Sequence, residues 1–327
     1  MSYRALLLRN RPEFSARVES LDDADLPEGD VELRIDCSTL NYKDALALGN
    51  TSPIVRAWPM VAGIDAAGTV SASTHAGFQP GDAVVLNGWG LGETRWGGLA
   101  EKTRAPGDWL VRLPAPLTPR DAAAIGTAGY TAAMCVQALA QHGLTAADGP
   151  LLVTGATGGV GSIAVMLLAR AGLEVVAVSG KADAADYLRH LGAAEVVARD
   201  GFTTPGKPLQ KETYAGVVDT LGGPALANAC ARVRRNGAVA ACGLAMGMDF
   251  PATVAPFILR GVTLYGIDSV YASPARRRAA WDLLASRLTA DDLDGITRDI
   301  GLSDCVEAAA KLRAGGMTGR YRVDVRH

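Results

Sequence analysis

Val31, Leu33, Ile35 and Cys37 alternate with Glu32, Arg34 and Asp36, the period of two that marks a strand with one buried face. Short apolar runs bounded by glycine or proline follow at 63–70 and 81–86, so the chain up to residue 122 predicts strands and turns. Pro106, Pro114, Pro116 and Pro119 then crowd a stretch expected to form neither regular sheet nor helix. Beyond it the pattern changes. Residues 121–139 are Ala-rich and predict a helix in parts, broken near Gly126 and Gly129. Strands at 151–154, 174–178, 195–197, 215–218, 238–242 and 262–267 then alternate with helices at 162–171, 182–191 and 225–233. Asn236-Gly237 reads as the turn into the fifth strand. That order predicts an α/β fold with a doubly wound, parallel six-stranded Rossmann sheet. After Ser273 one clear helix, 275–288, precedes an alternating strand at 320–325. The expected organisation is a β-rich domain over 1–122, a nucleotide-binding domain over 123–270, and a segment, 271–327, returning to the first.

Gly155-Ala156-Thr157-Gly158-Gly159-Val160-Gly161 stands between an apolar strand and an apolar helix. A glycine pattern alone is weak, but strand, tight turn, helix and second strand form the context in which it binds a dinucleotide. Gly155 would permit the sharp exit, Gly158 the approach of a pyrophosphate, and Gly161 close packing of helix on sheet. Exposed N–H groups and the positive helix end would then face phosphate. The plain alternative is a glycine-rich turn with no ligand. At the end of the second strand an NAD enzyme places Asp or Glu on the ribose hydroxyls. This chain reads Val178-Ser179-Gly180-Lys181 there, with Arg199 just after the third strand. A hydroxyl, an open backbone and two cations favour a 2′-phosphate, hence NADPH. Lys181 has a competing reading as an exposed residue of the next helix.

The formal net charge of −2 gives no electrostatic reason to expect nucleic acid. Arg276-Arg277-Arg278, the one tight basic cluster, reads as a solvated helix face. The five cysteines are scattered without a CxxC pair, which points to reduced thiols rather than disulfides or structural zinc. The N-terminus reads as a strand, not a signal peptide, and no uninterrupted apolar stretch suits a membrane span, so a cytoplasmic protein is expected. Catalytic zinc needs about three converging Cys, His or carboxylate ligands. His75, His142, His190 and His327 neighbour no other candidate ligand, and Gly63-Ile64-Asp65 stands where zinc dehydrogenases carry Gly-His-Glu. No metal is therefore expected. Without zinc to polarise an alcohol or ketone oxygen, the substrate expected is a C=C bond already polarised by a conjugated carbonyl.

Further blocks extend the pattern nearly end to end. They are Ser38 to Leu46 (STLNYKDAL), Pro59 to Asp65 (PMVAGID), Leu86-Asn87-Gly88-Trp89-Gly90, Gly126 to Ala132 (GTAGYTA), Ala241 to Ala245 (ACGLA) and Ala255 to Gly261 (APFILRG). Together with the glycine turn they resemble the acryloyl-CoA reductase (NADPH) branch of the medium-chain dehydrogenase/reductase superfamily, related to quinone oxidoreductases. NYKDAL, NGWG and APFILRG are specific to that branch, and the glycine turn is not. Lys181 stands where the branch is expected to carry Arg, keeping the charge and losing bidentate contact. The resemblance implies a GroES-like catalytic domain before the Rossmann domain, with NADPH held between them, and reduction of acryloyl-CoA to propanoyl-CoA. It implies that Tyr42, Thr157 to Val160, Ser179 to Lys181, Arg199, Leu244, Ile258 and Ser269 line the cofactor. A homodimer joined through the strand between Val262 and Ile267 is implied in the same way.

In such a reduction hydride reaches the β-carbon, negative charge gathers on the thioester oxygen, and an acid protonates the α-carbon. Asn41, Tyr42 and Asp44 cluster after the strand that contains Val31, where a cleft-facing loop would begin. An Asn41 N–H suits the oxyanion, the Tyr42 hydroxyl suits proton delivery or packing on the nicotinamide, and Asp44 would orient either of them or Lys43. Each has a structural alternative: Asn41 as a helix cap, Tyr42 as core, Asp44 as a helix-dipole partner. Trp89 would wall the acyl pocket or fill the domain core. Arg56, Arg95 and Arg104 are available for the phosphates of coenzyme A, and Gly319-Arg320 is a further approach to the cofactor. Two other functions fit the same pattern, an NADPH:quinone oxidoreductase and a non-catalytic NADPH-binding protein.

Overall fold

A computed structural model describes residues 2–327. The chain divides into two compact units, Met1–Thr127 with Val270–His327, and Ala128–Ser269.

The first unit opens with β1 (Ser2–Arg9) and β2 (Ser15–Asp22), followed by β3 (Val31–Leu40) and a short helix, α1 (Tyr42–Leu48). Then come β4 (Met60–Val61), β5 (Asp65–Ser73), β6 (Ala83–Asn87), β7 (Lys102–Ala105) and β8 (Leu110–Arg112). The expected alternation in β3 holds from Val31 to Ile35, with Val31, Leu33 and Ile35 buried and Arg34 exposed; the pairing register then shifts between Ile35 and Cys37, and Asp36 and Cys37 are both half-buried. The proline-rich stretch is more regular than its composition suggests. β8 fits between Pro106 and Pro114, with no proline inside it to break the ladder. Pro119 opens the next helix, α2 (Pro119–Gln141), at a position where its missing N–H costs nothing. α2 breaks only at Gly126 (φ 51°, ψ −167°), and Gly129 is helical. By length and composition α2 is apolar enough to cross a membrane, but it is a core helix, 89% of that stretch being buried.

The second unit alternates as expected. Its elements are β9 (Leu151–Val153), α3 (Gly159–Arg170), β10 (Val175–Ser179), α4 (Ala185–His190), β11 (Glu195–Ala198), β12 (Tyr214–Asp219), α5 (Gly223–Arg232), β13 (Val233–Ala241), α6 (Ala255–Arg260) and β14 (Thr263–Gly266). The parallel sheet has the order β11-β10-β9-β12-β13-β14. Its central strands are apolar over 151–153, 175–178 and 215–218, as burial on both faces requires, and β12 ends in the buried Asp219. Asn236-Gly237 does not precede the fifth strand. It lies inside β13 as a bulge, with Asn236 at φ 58° and the pairing register shifting between Tyr214 and Gly216 on β12.

The chain then returns to the first unit with α7 (Pro274–Arg287), α8 (Ala290–Gly295), β15 (Thr297–Gly301), α9 (Cys305–Arg313) and β16 (Arg320–Asp324). Two helices beyond the one expected thus follow Ser273. α8 is capped by Thr289, whose side chain accepts from the Asp292 amide, and α9 buries Cys305, Ala308 and Ala309. β16 pairs antiparallel with β3, Tyr321 opposite Leu40, so the terminal strand completes the first unit's sheet as anticipated. The basic cluster is a solvated face at Arg276 and Arg278, which are exposed, but not at Arg277, which is 1% exposed because its guanidinium donates to the main chain of Asn87, Val270 and Ala272.

Candidate active site

In the second unit, the turn after β9 is fixed from below. The Thr154 hydroxyl donates to Asp219 Oδ1 (2.7 Å) at the end of β12, and the Thr220 hydroxyl donates back to the Thr154 carbonyl (2.9 Å). Burial pushes the Asp219 carboxyl up to about 6. Two glycines in the turn are obligatory. Gly155 has φ 59°, and a Cβ there would meet Thr220 Oγ1 at 2.3 Å; a Cβ on Gly161 would meet the Gly155 carbonyl oxygen at 2.3 Å. Gly158 is the N-cap of α3, and a Cβ there would meet one atom, the Gly155 carbonyl oxygen at 3.3 Å, a contact that a shift of a few tenths of an ångström relieves, so the protein's own packing constrains this glycine far less than Gly155 or Gly161. Thr157 is buried beside it, and Gly159 and Val160 begin the helix.

At the end of β10 the Ser179 hydroxyl oxygen accepts from the Lys181 amide (3.0 Å). Gly180 and Arg199 are brought together: a Cβ on Gly180 would meet Arg199 Cζ at 2.8 Å. A guanidinium thus lies against an exposed glycine next to a serine hydroxyl, groups whose chemistry can hold one phosphate. Lys181 borders it, half-buried, and burial lowers its ammonium below the usual lysine range. Leu244 and Ile258 are 53% and 72% exposed, large apolar side chains left open to a ligand, and Ser269 is half-buried.

In the first unit, Asn41 is the N-cap of α1, and Asp44 completes a capping box with it. Asp44 Oδ2 accepts from the Asn41 amide (2.8 Å) and from Asn41 Nδ2 (3.1 Å), and its Oδ1 accepts from the Ile64 amide (2.9 Å). Asn41 Nδ2 also donates to Asp65 Oδ2 (2.7 Å). Both side-chain N–H bonds of Asn41 therefore end on carboxyl oxygens of Asp44 and Asp65, and neither is left over for the oxyanion role expected of it. Asp65 accepts in addition from the Thr127 amide and hydroxyl (2.9 and 2.6 Å), capping the part of α2 that restarts after Gly126. Arg320 closes the cluster: buried at 3%, it donates through Nη2 to Thr39 Oγ1 (2.8 Å) and Asn41 Oδ1 (3.3 Å). Burial lowers its guanidinium from the usual arginine range, while Asp65 and Asp44 act in the opposite sense. Burial also pushes the Asp44 carboxyl up to about 7, and the Asp65 charge adds to that. Tyr42, next to all this, is 42% exposed, so it is not core, and its hydroxyl has no partner among the described residues.

Asn87 went unassigned in the sequence. It is 1% exposed and directly opposite Asp65 in the β5–β6 ladder. Its Oδ1 accepts from Arg277 Nη1 (2.9 Å), and its Nδ2 has no hydrogen-bond partner among the described residues. Because arginine only donates, that contact fixes the amide orientation and leaves the N–H bonds as the unused pair. Neither Asn87 nor Arg277 carries a sequence pattern that would have joined residues 190 positions apart. Trp89 is half-buried and packs on the core, stacked on Trp109. Of the three arginines considered for phosphates, Arg56 pairs with Glu93 and Arg104 with Glu32. Arg95 lies over Trp109.

The fold family's zinc does not fit here. At Gly63-Ile64-Asp65, where zinc dehydrogenases carry Gly-His-Glu, Ile64 has no ligating atom and Asp65 already accepts from Asn41 and Thr127. Among the described residues no group of three His, Cys, Asp or Glu is placed to hold a metal ion.

Two family models match the chain: the alcohol dehydrogenase GroES-like domain over residues 27–115, and the zinc-binding dehydrogenase over residues 159–286. Acrylyl-CoA reductase AcuI of Ruegeria pomeroyi is 49% identical over 311 residues, 95% of this chain and 94% of its own length. The putative quinone oxidoreductase YhfP of Bacillus subtilis is 44% identical over 317 residues, 96% of each. The crystal structure of the yhdH oxidoreductase from Salmonella enterica in complex with NADP matches with a TM-score of 0.96 at 46% identity, covering 99% of both chains.

Proposed function

The chain belongs to the acrylyl-CoA reductase branch of the medium-chain dehydrogenase/reductase family, and from that premise we propose that it reduces the C=C bond of a short enoyl-CoA thioester, acryloyl-CoA to propanoyl-CoA. The end-to-end likeness to the Ruegeria reductase carries this reading. The domains are taken as a GroES-like catalytic domain (1–122), a Rossmann domain (123–270) and the returning segment (271–327).

NADPH fits the residues present. Gly155, Thr157, Gly158, Gly159, Val160 and Gly161 would cradle its pyrophosphate, Ser179, Gly180, Lys181 and Arg199 its 2′-phosphate, and Leu244, Ile258 and Ser269 its nicotinamide half. When bound, it supplies the hydride that the β-carbon accepts. The protein's own tasks are then to stabilise negative charge on the thioester oxygen and to protonate the α-carbon. Asn87 Nδ2, oriented by Arg277 and left unpaired, is the donor for the thioester oxygen. The Tyr42 hydroxyl delivers the proton. Asn41, Asp44, Asp65 and Arg320 hold the start of α1, and so Tyr42, in place. Trp89 borders the substrate.

NADPH oxidation should follow addition of acryloyl-CoA and propanoyl-CoA should accumulate; replacing Tyr42 with Phe should lower turnover and leave NADPH affinity nearly intact. The likeness to YhfP supports a second reading, reduction of a quinone by NADPH. Oxidation of NADPH by a quinone with none by acryloyl-CoA would replace the first reading with the second. NADPH binding without turnover on either would make the protein a non-catalytic binder.

A cytoplasmic homodimer goes with this reading. β14 is the last strand of its sheet, and the exposed Leu259 lies just before it on α6, an edge suited to a second copy. Sedimentation at the 33.9 kDa monomer mass over the whole accessible concentration range would remove the dimer.

A further inference from the structure

The loop that follows β6 carries more structure than an acyl wall requires. Gly88, Trp89, Gly90 and Gly92 all have positive φ (78°, 56°, 80° and 70°), and an indole-bearing residue rarely adopts that conformation. Hydrogen bonds from the Trp89 amide to the Val270 carbonyl and from the Arg95 amide to the Gly90 carbonyl hold it there. The result is a column of rings and guanidinium groups. Trp89 stacks on Trp109 (5.7 Å between centroids, planes 9° apart). Arg277 lies over Trp89 at 4.5 Å, and Arg95 over Trp109 at 5.7 Å. The parallel indoles cover one face of each other, which gives the order Arg277, Trp89, Trp109, Arg95, from the buried interior to the surface. Tyr271 stands edge-on to Trp89, 6.5 Å away, and is 64% exposed. Its hydroxyl lies within 4.0 Å of the same point beside Gly90 that Thr94 borders.

Charge around the outer end of the column is unbalanced. Lys43 and Arg56 share the one carboxylate of Glu93 (2.8 Å each), and Arg95 makes no ion pair among the described residues. Asp108, beside Trp109 in sequence, is paired with His75. With Asp108, whose histidine partner carries charge only when protonated, three cations stand against two carboxylates beside the exposed Tyr271 ring. Such a surface suits a purine stacked on a ring or guanidinium plane, with phosphates on the surrounding cations.

We infer that the outer end of this column, Arg95 with Tyr271, binds the nucleotide end of coenzyme A, its purine and 3′-phosphate, so that Trp89 serves the coenzyme's nucleotide rather than the acyl chain. This rests on the acyl-CoA reading proposed above. The column starts two residues after Asn87, the proposed oxyanion donor, which leaves the pantetheine arm to connect the two.

Kinetics of Arg95→Gln and Tyr271→Ala should be measured with acryloyl-CoA and with acryloyl N-acetylcysteamine thioester, which keeps the reacting group and lacks the nucleotide. KM for acryloyl-CoA should rise about tenfold, with kcat, KM for NADPH and all constants for the truncated thioester unchanged. Equal loss on both thioesters, or no change on acryloyl-CoA, overturns the assignment. Calorimetric titration of free coenzyme A separates this inference from the reaction. Wild-type binding that weakens about tenfold in Arg95→Gln supports the subsite even if neither thioester is reduced, a result that would sink only the reductase reading. No wild-type binding of coenzyme A overturns the subsite.

Discussion

Asn41 and Asn87 carry the same side chain to neighbouring places in one unit and meet different fates. Asn41 spends both N–H bonds on Asp44 and Asp65, so it holds the backbone from which Tyr42 projects. Asn87 has its oxygen fixed by Arg277 and its N–H bonds unused, in a position where leaving them unpaired costs stability unless a ligand takes them. Asn87→Ala should therefore lower kcat about a hundredfold, the cost of one lost oxyanion donor, and leave KM for NADPH unchanged. Single-turnover reduction of acryloyl-CoA checks this, and an unaltered rate would return the oxyanion to another group. Sequence spacing pointed to Asn41 because it stands beside Tyr42 in a motif. The partners that decide which asparagine is spent lie on β5, β16 and α7, and long-range pairing of that kind leaves no local pattern.

The turn between β9 and α3 was legible at the level of the element, because strand, glycines and helix are contiguous and each glycine has a local cause. The structure separates those causes in a way spacing did not. Gly158→Ala should fold almost normally, since only one atom, at 3.3 Å, stands near the new methyl, but it should weaken NADPH binding at least tenfold by blocking approach of the pyrophosphate. Gly161→Ala should instead lower the unfolding temperature, because its methyl meets backbone at 2.3 Å. Thermal unfolding with and without NADPH distinguishes the two. At the end of β10 the residue pattern showed a serine and a lysine, and the fold added contact between Gly180 and Arg199. Arg199→Gln should cut kcat/KM for NADPH by about tenfold and leave that for NADH unchanged, since only the former has a 2′-phosphate to lose. Equal effects on both cofactors would place the arginine outside the phosphate pocket.

Across the whole molecule, the doubly wound sheet was readable from alternation, and the return of β16 to β3 from its own period of two. The two short helices α8 and α9 were not, because six and nine residues are too few to show a helical period. Nor was the burial of Arg277, whose charge matches its neighbours in a basic run while its hydrogen bonds do not. Each unit also carries a buried carboxyl that no pattern announces, Asp44 in the first and Asp219 in the second. Burial raises them to about 7 and about 6, against about 3.9 for aspartate in an unfolded chain. Between those values the native state holds protons that the unfolded state has released. Stability from these groups is therefore complete below about pH 4 and is lost as pH rises through 6 to 7. Asp44→Asn should lose some stability at every pH, because N–H donors face both oxygens of the Asp44 carboxyl group and an amide NH2 put in place of either cannot accept. That loss should shrink steadily between about pH 4.5 and 7.5 as the wild-type protein gives up its proton advantage. Unfolding temperatures of both proteins across that interval test the point. A difference that stays constant with pH would mean that Asp44 is ionised throughout, held so by Asn41 and Ile64 against the cost of its burial.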